Sequence, residues 1–147
     1  MQRKIIALLT VAWAVALSVQ ATVAPEQVAL AGVTPGMTIA QLEEACGQPQ
    51  FKSGDDWNYS AFKVELDDDR PGVVESVSSR VPPTATAAGV AVGQSESVIV
   101  PAYGAPDRKE FDDGETEYKY YTPNGAMELE FDVRGGSIVK ISCSLRD

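Results

Sequence analysis

The sequence predicts an α+β fold of two tandem repeats, each a short capped helix (or helix pair) followed by a three-stranded antiparallel meander. Three observations predict it. First, Gly32-Val33-Thr34-Pro35-Gly36-Met37-Thr38, Leu42 and Gly47-Gln48-Pro49 recur as Gly89-Val90-Ala91-Val92-Gly93-Gln94-Ser95, Ile99 and Gly104-Ala105-Pro106, always 57 residues apart. Second, each copy opens on helix-capping residues. Third, each copy ends in apolar residues that alternate with polar ones, as in strands with one buried face. The units are bounded at 30–80 and 88–147, and the Pro-, Thr- and Ala-rich stretch 81–87 reads as a linker.

The chain begins with a targeting signal. Gln2-Arg3-Lys4 is a basic n-region, and Ile5 to Val19 is an uninterrupted apolar run. Val19-Gln20-Ala21 satisfies the small-x-small cleavage pattern. Thr22-Val23-Ala24 competes with it, but cleavage there would leave Pro25 first. Residues 1–21 therefore read as a secretory signal peptide and 22–29 as the N-terminal segment of the mature chain. The alternative is an uncleaved anchor, because the apolar run is only slightly short for a span. No cysteine lies near the cleavage site, which argues against a lipoprotein. Cleavage implies a secreted or periplasmic protein with no stable membrane insertion.

Within each unit the local signals come in the same order. Thr38 is placed as an N-cap with Gln41 three residues on, and Ile39, Leu42 and Cys46 share one helical face. Gly47 stops the helix before Pro49. Ser95 caps the second helix, Gly104 ends it before Pro106, and Pro101 should cut it to about one or two turns. Gly36 and Gly93 mark the turns that enter the helices. In the second unit Glu117 to Tyr121 is aromatic-rich, and Thr122-Pro123-Asn124-Gly125 is a turn. Met127, Leu129, Phe131 and Val133 then alternate with acids. Arg134-Gly135-Gly136 turns the chain into Val139, Ile141, Cys143 and Leu145. In the first unit Trp57 to Leu66 runs almost without a break, so its first strand is short or merged with the next. A single helix with three strands buries little alone, so the two sheets join or pack together.

Composition excludes several function classes. The chain of 147 residues carries 12 basic and 21 acidic side chains. Loss of the signal peptide leaves 10 basic against 21 acidic, a net charge near −11. Such a balance opposes nucleic-acid binding. There is no histidine. Ser-His-Asp and Cys-His catalysis and histidine-ligated zinc are therefore out of reach.

The pattern G-[VI]-x-x-G-x-[ST]-x-x-[LI]-x-x-x-x-G-x-P, followed by an aromatic strand and further strands, resembles the small envelope modules of the BamE (SmpA/OmlA) type. It also resembles the tandem-repeat β-lactamase inhibitor proteins. The most specific matches are Gly36-x-Thr38 with Gly47-x-Pro49, and Gly93-x-Ser95 with Gly104-x-Pro106. Pro101 and the shortened first hairpin depart from the pattern. The resemblance implies a non-catalytic protein-binding module in the cell envelope, either an inhibitor or an assembly accessory, without naming the bound protein. No cofactor and no metal is expected.

Three groups of residues carry the candidate chemistry. Trp57, Tyr59, Tyr118, Tyr120 and Tyr121 are the candidate partner-binding anchors, and the competing reading places these rings in the helix–sheet core. Cys46 and Cys143 are absent from the aligned positions of the other copy, Tyr103 and Ser79. Unique cysteines in an exported chain usually pair, so a disulfide is expected; two buried thiols are the alternative. The acidic clusters are Asp55-Asp56, Asp67-Asp68-Asp69, Asp112-Asp113 and Glu115 with Glu117. They suit solvated turns, but also leave open a calcium-stabilised structural module or a carboxylate-based envelope hydrolase.

Overall fold

The computed structural model describes residues 23–147; the signal peptide read over 1–21 and its cleavage lie outside them. The two-repeat α+β arrangement is not what the chain adopts. One continuous eight-stranded antiparallel sheet organises the fold, in the order β1-β2-β3-β4-β8-β7-β6-β5. Its strands are β1 (Phe51–Ser53), β2 (Asp56–Asn58), β3 (Lys63–Leu66), β4 (Val74–Ser79), β5 (Arg108–Asp112), β6 (Glu115–Tyr121), β7 (Met127–Arg134) and β8 (Ser137–Leu145). Among the described residues helix is confined to α1 (Ile39–Cys46), α2 (Ile99–Tyr103) and two single 3₁₀ turns, Pro25–Gln27 and Glu96–Val98. Each half of the chain contributes four strands rather than three.

The additional strands lie at the sheet edges, and tight turns create them. β5 and β6 are joined by Asp113-Gly114, both at positive φ (45° and 80°), which is the signature of a type I′ hairpin. Gly54-Asp55 joins β1 to β2 in the same two-residue manner. The centre of the sheet is the β4–β8 pair, where Val77 lies opposite Cys143 and Ser78 opposite Ser142. That pairing joins the two halves into one sheet, the first of the two arrangements, joined or packed, that the sequence left open.

The helices form as their caps dictate. The Thr38 backbone N–H donates to Gln41 Oε1 at 2.9 Å, and Gln41 N–H donates back to Thr38 Oγ1 at 3.2 Å. Leu42 is fully buried, with Ile39 and Cys46 packed beside it. Gly47 and Gly104 end the two helices with φ of 71° and 77° and extended ψ, a region essentially reserved for glycine. Pro101 lies inside α2, whose five residues follow a 3₁₀ turn capped by Ser95.

One apolar core covers one face of the sheet. Val28, Leu30, Val33, Leu42, Val92 and Ile99 pack on Val64, Val77, Tyr120, Leu129, Phe131 and Ile141. The stretch 81–87 is no free linker. Thr84 and Thr86 are buried, and backbone hydrogen bonds tie Ala85 to Ala31 and Ala87 to Ala29. Because the halves share a sheet, the segment between them is packed into the core.

Candidate functional site

The strand register decides where each candidate aromatic points. Trp57, Val64, Val77, Cys143, Leu129 and Tyr120 form one row across the sheet, on the helix-covered face. Trp57 is 5% exposed, and Tyr118 and Tyr120 are buried as well. Lys52 Nζ lies 3.7 Å from the centre of the Trp57 ring, and Lys109 Nζ lies 4.8 Å from that of Tyr118, so each edge strand closes the core with a cation–π contact. Tyr120 donates its hydroxyl to Gly104 O at 2.8 Å. Burial raises its pKa. Tyr59 stacks on Phe62 and donates to Gly47 O at 2.9 Å, fastening the end of α1 to the sheet. Trp57, Tyr118 and Tyr120 thus belong to the core, because odd and even positions of a strand face opposite ways, and Tyr59 packs partly buried against it. Tyr121 alone points to the other face, half-buried with the Arg146 guanidinium 4.0 Å from its ring centre.

That other face is polar and, among the described residues, carries no helix. One row across it reads Tyr121, Glu128, Ser144, Ser76, Glu65 and Asp56. The next reads Arg108, Lys119, Glu130, Ser142, Ser78 and Lys63. At the sheet centre, four small serines are therefore flanked by carboxylates and form the floor of a shallow depression of about 380 Å³. Ser76 donates to Glu65 Oε2 at 2.9 Å. On the rim, burial and the neighbouring charges of Asp67 and Glu65 raise the pKa of Glu75. In the sequence this floor shows only as serines alternating with Val77, Ile141 and Cys143, a pattern common to any strand with one solvated face, and nothing local marks it as a site.

The best-buried acid of the chain lies in the third row, Glu110, Glu117, Asp132 and Lys140. Asp132 sits at a register shift between β7 and β8, where Val139 is the extra residue. Asp132 is 5% exposed there, and its Oδ1 has no hydrogen-bond partner among the described residues. Burial, reinforced by the charge of Glu130, pushes the Asp132 carboxyl up to about 7. Burial likewise raises Glu130. Lys119 is the hub beside them, with Nζ 2.9 Å from Glu117 Oε2, 3.0 Å from Glu110 Oε2 and 3.5 Å from Glu130 Oε2. Its hydrogen bond to Glu117 raises its pKa. Lys140 approaches Asp132 Oδ2 only to 3.9 Å.

Most of the acidic runs singled out in the sequence serve turns. Asp67 accepts from the backbone N–H groups of Asp69 and Arg70, both at 2.9 Å, and from Arg70 Nε at 2.8 Å. Asp113 supplies the type I′ turn. A hydrogen bond to Asp55 raises the Asp68 carboxyl.

The expected disulfide is absent: both cysteines are free. Cys143 is fully buried in β8 under the helices, and burial raises its pKa. Cys46 is half-buried at the end of α1, with Sγ 3.9 Å from Ala31 O, and its pKa is also raised by burial. Each therefore behaves as a small apolar side chain.

Comparison with solved structures shows a likeness of fold. The chain is similar to a DUF4309 family protein, YjgB, from Bacillus subtilis, with a TM-score of 0.52 and 16% identity over 74% of this chain and 78% of that one. It is also similar to a cysteine-rich secretory protein, SAV1118, from Staphylococcus aureus, with a TM-score of 0.50 and 12% identity over 84% of this chain. The match spans about half of that second protein, 47% of its length. No family model matches the sequence, and no curated protein does.

Proposed function

We propose that this is an exported, non-catalytic protein-binding module whose open sheet face receives a basic segment of a partner. One observation carries the reading. The face that bears no helix among the described residues has a shallow depression lined by Glu65, Glu75, Glu128 and Glu130, with Lys140 as the one cation, around a floor of small serines. Small side chains let an extended or helical segment approach the sheet closely, and the surrounding carboxylates favour lysine and arginine on it. The basic leader Gln2-Arg3-Lys4 with its apolar run supports export. The motif resemblance to BamE-type and inhibitor modules supports a binding role.

The test compares affinity capture from an envelope extract by the wild type and by a Glu65→Lys/Glu128→Lys variant of matched melting temperature. The expected result is a basic protein retained by the wild type, eluted by salt and lost from the variant. Equal capture by both proteins, or turnover of saccharides by the wild type, overturns the reading.

A further inference from the structure

We propose that Glu117, Glu130 and Asp132 form a calcium-binding site sunk into the open face of the sheet. These carboxylates come from adjacent strands, and one oxygen of each lies within 4.8 Å of the others. Oxygens that close together can share one cation, and calcium accepts such irregular carboxylate sets more readily than magnesium, which demands octahedral geometry and sheds its waters reluctantly. The donors are all oxygen, with no histidine or thiolate beside them, and this selects a hard ion over zinc or copper.

An acidic cluster alone would mean little. The separate observation is Asp132 itself, 5% exposed with Oδ1 lacking any partner among the described residues. A buried carboxylate oxygen left without a donor is rare in folded proteins and calls for a water or an ion. The surrounding cations do not supply what is missing. Lys140 stays 3.9 Å from the other oxygen, Oδ2. Lys119 is engaged by Glu110, Glu117 and Glu130. Three carboxylates thus share two ammonium groups, one of which also serves Glu110. A proton shared by Glu130 and Asp132, which lie within hydrogen-bonding reach of each other, is the rival solution, and the calcium titration below decides between the two. A cation satisfies all three groups at once. Glu117 and Glu130 are only half-buried, so the ion enters from the open face and water completes its shell. The site needs nothing from the partner reading above.

Calcium titration of the chelator-stripped protein, followed by calorimetry and by thermal melting, tests this. The expected result is one site per chain. The melting temperature should rise by roughly 5–10 °C once calcium exceeds its dissociation constant a hundredfold. Asp132→Asn and Glu117→Gln should each weaken binding at least tenfold. If Asp132→Asn does not fold, Glu117→Gln at the more exposed position carries the comparison. Two results overturn the proposal. One is no shift of the wild type up to about 10 mM calcium, above the roughly millimolar affinity of weak extracellular calcium modules. The other is a shift of wild-type size in both variants, which would place the ion on the surface acids instead.

Discussion

Trp57 and Tyr121 separate a core role from a surface role at the scale of single residues. Trp57 fills the sheet–helix interface at 5% exposure beneath the Lys52 ammonium. Its truncation, Trp57→Ala, should destabilise the protein by about 3–5 kcal/mol in urea unfolding. Tyr121→Ala removes a half-buried ring on the open face, and its cost should stay below about 1 kcal/mol. A Trp57→Ala protein of unchanged stability would return that ring to the list of surface anchors. The thiols answer to the same logic. Cys46 should react slowly with a thiol reagent in the native protein and Cys143 only once denaturant is added. Reductant should leave the melting temperature unchanged. A strong fall on reduction would mean that the two sulfurs do bond. Sequence alone identified both cysteines as facing the core, but pairing depends on how α1 sits relative to β8. No local spacing encodes that.

Secondary-structure elements were legible in proportion to how much of their signal is local. The α1 cap was readable because Thr38 and Gln41 bond each other. The meander turns at Asn124-Gly125 and Gly135-Gly136 were readable from their dipeptides. The edge strands β1 and β5 were not, although Asp113-Gly114 is among the strongest hairpin signals a sequence can carry. Their side chains explain the omission. Arg108 to Asp112 is exposed almost throughout, with Phe111 at 76%, so no apolar alternation announces a strand. Edge strands tolerate such sequences because only one flank is paired, and their charges discourage pairing with another chain. The turn must then do most to define β5. Gly114 has open space around its Cα, so Gly114→Ala meets no clash and its cost is conformational alone. It should destabilise the protein by about 1 kcal/mol, seen as a lower urea midpoint at unchanged m-value. No change in midpoint would show that β5 is held by its pairing with β6 rather than by its turn.

The repeat pattern located the matching caps and glycines of the two halves and left open whether their sheets join or only pack together. Long-range pairing decides that they join. The β4–β8 junction contributes Val77 opposite Cys143, both fully buried, and the same apolar core runs on either side of it. Splitting the chain there would uncover two inner strands, each with a row of unpaired N–H and C=O groups and half of a core. The site is divided in the same way. Ser76 and Ser78 come from one half, Ser142 and Ser144 from the other, so neither half alone carries the floor of the open face. Periodicity within one segment shows which residues share a face, but not which strand will lie next to it. Residues 23–87 expressed alone should therefore be unfolded, with collapsed amide dispersion and no cooperative melting. The intact chain should unfold in a single transition by both circular dichroism and tryptophan fluorescence. Two resolved transitions, or a well-dispersed amide spectrum from the isolated half, would make the halves independent folding units and leave the central pairing as mere contact between them.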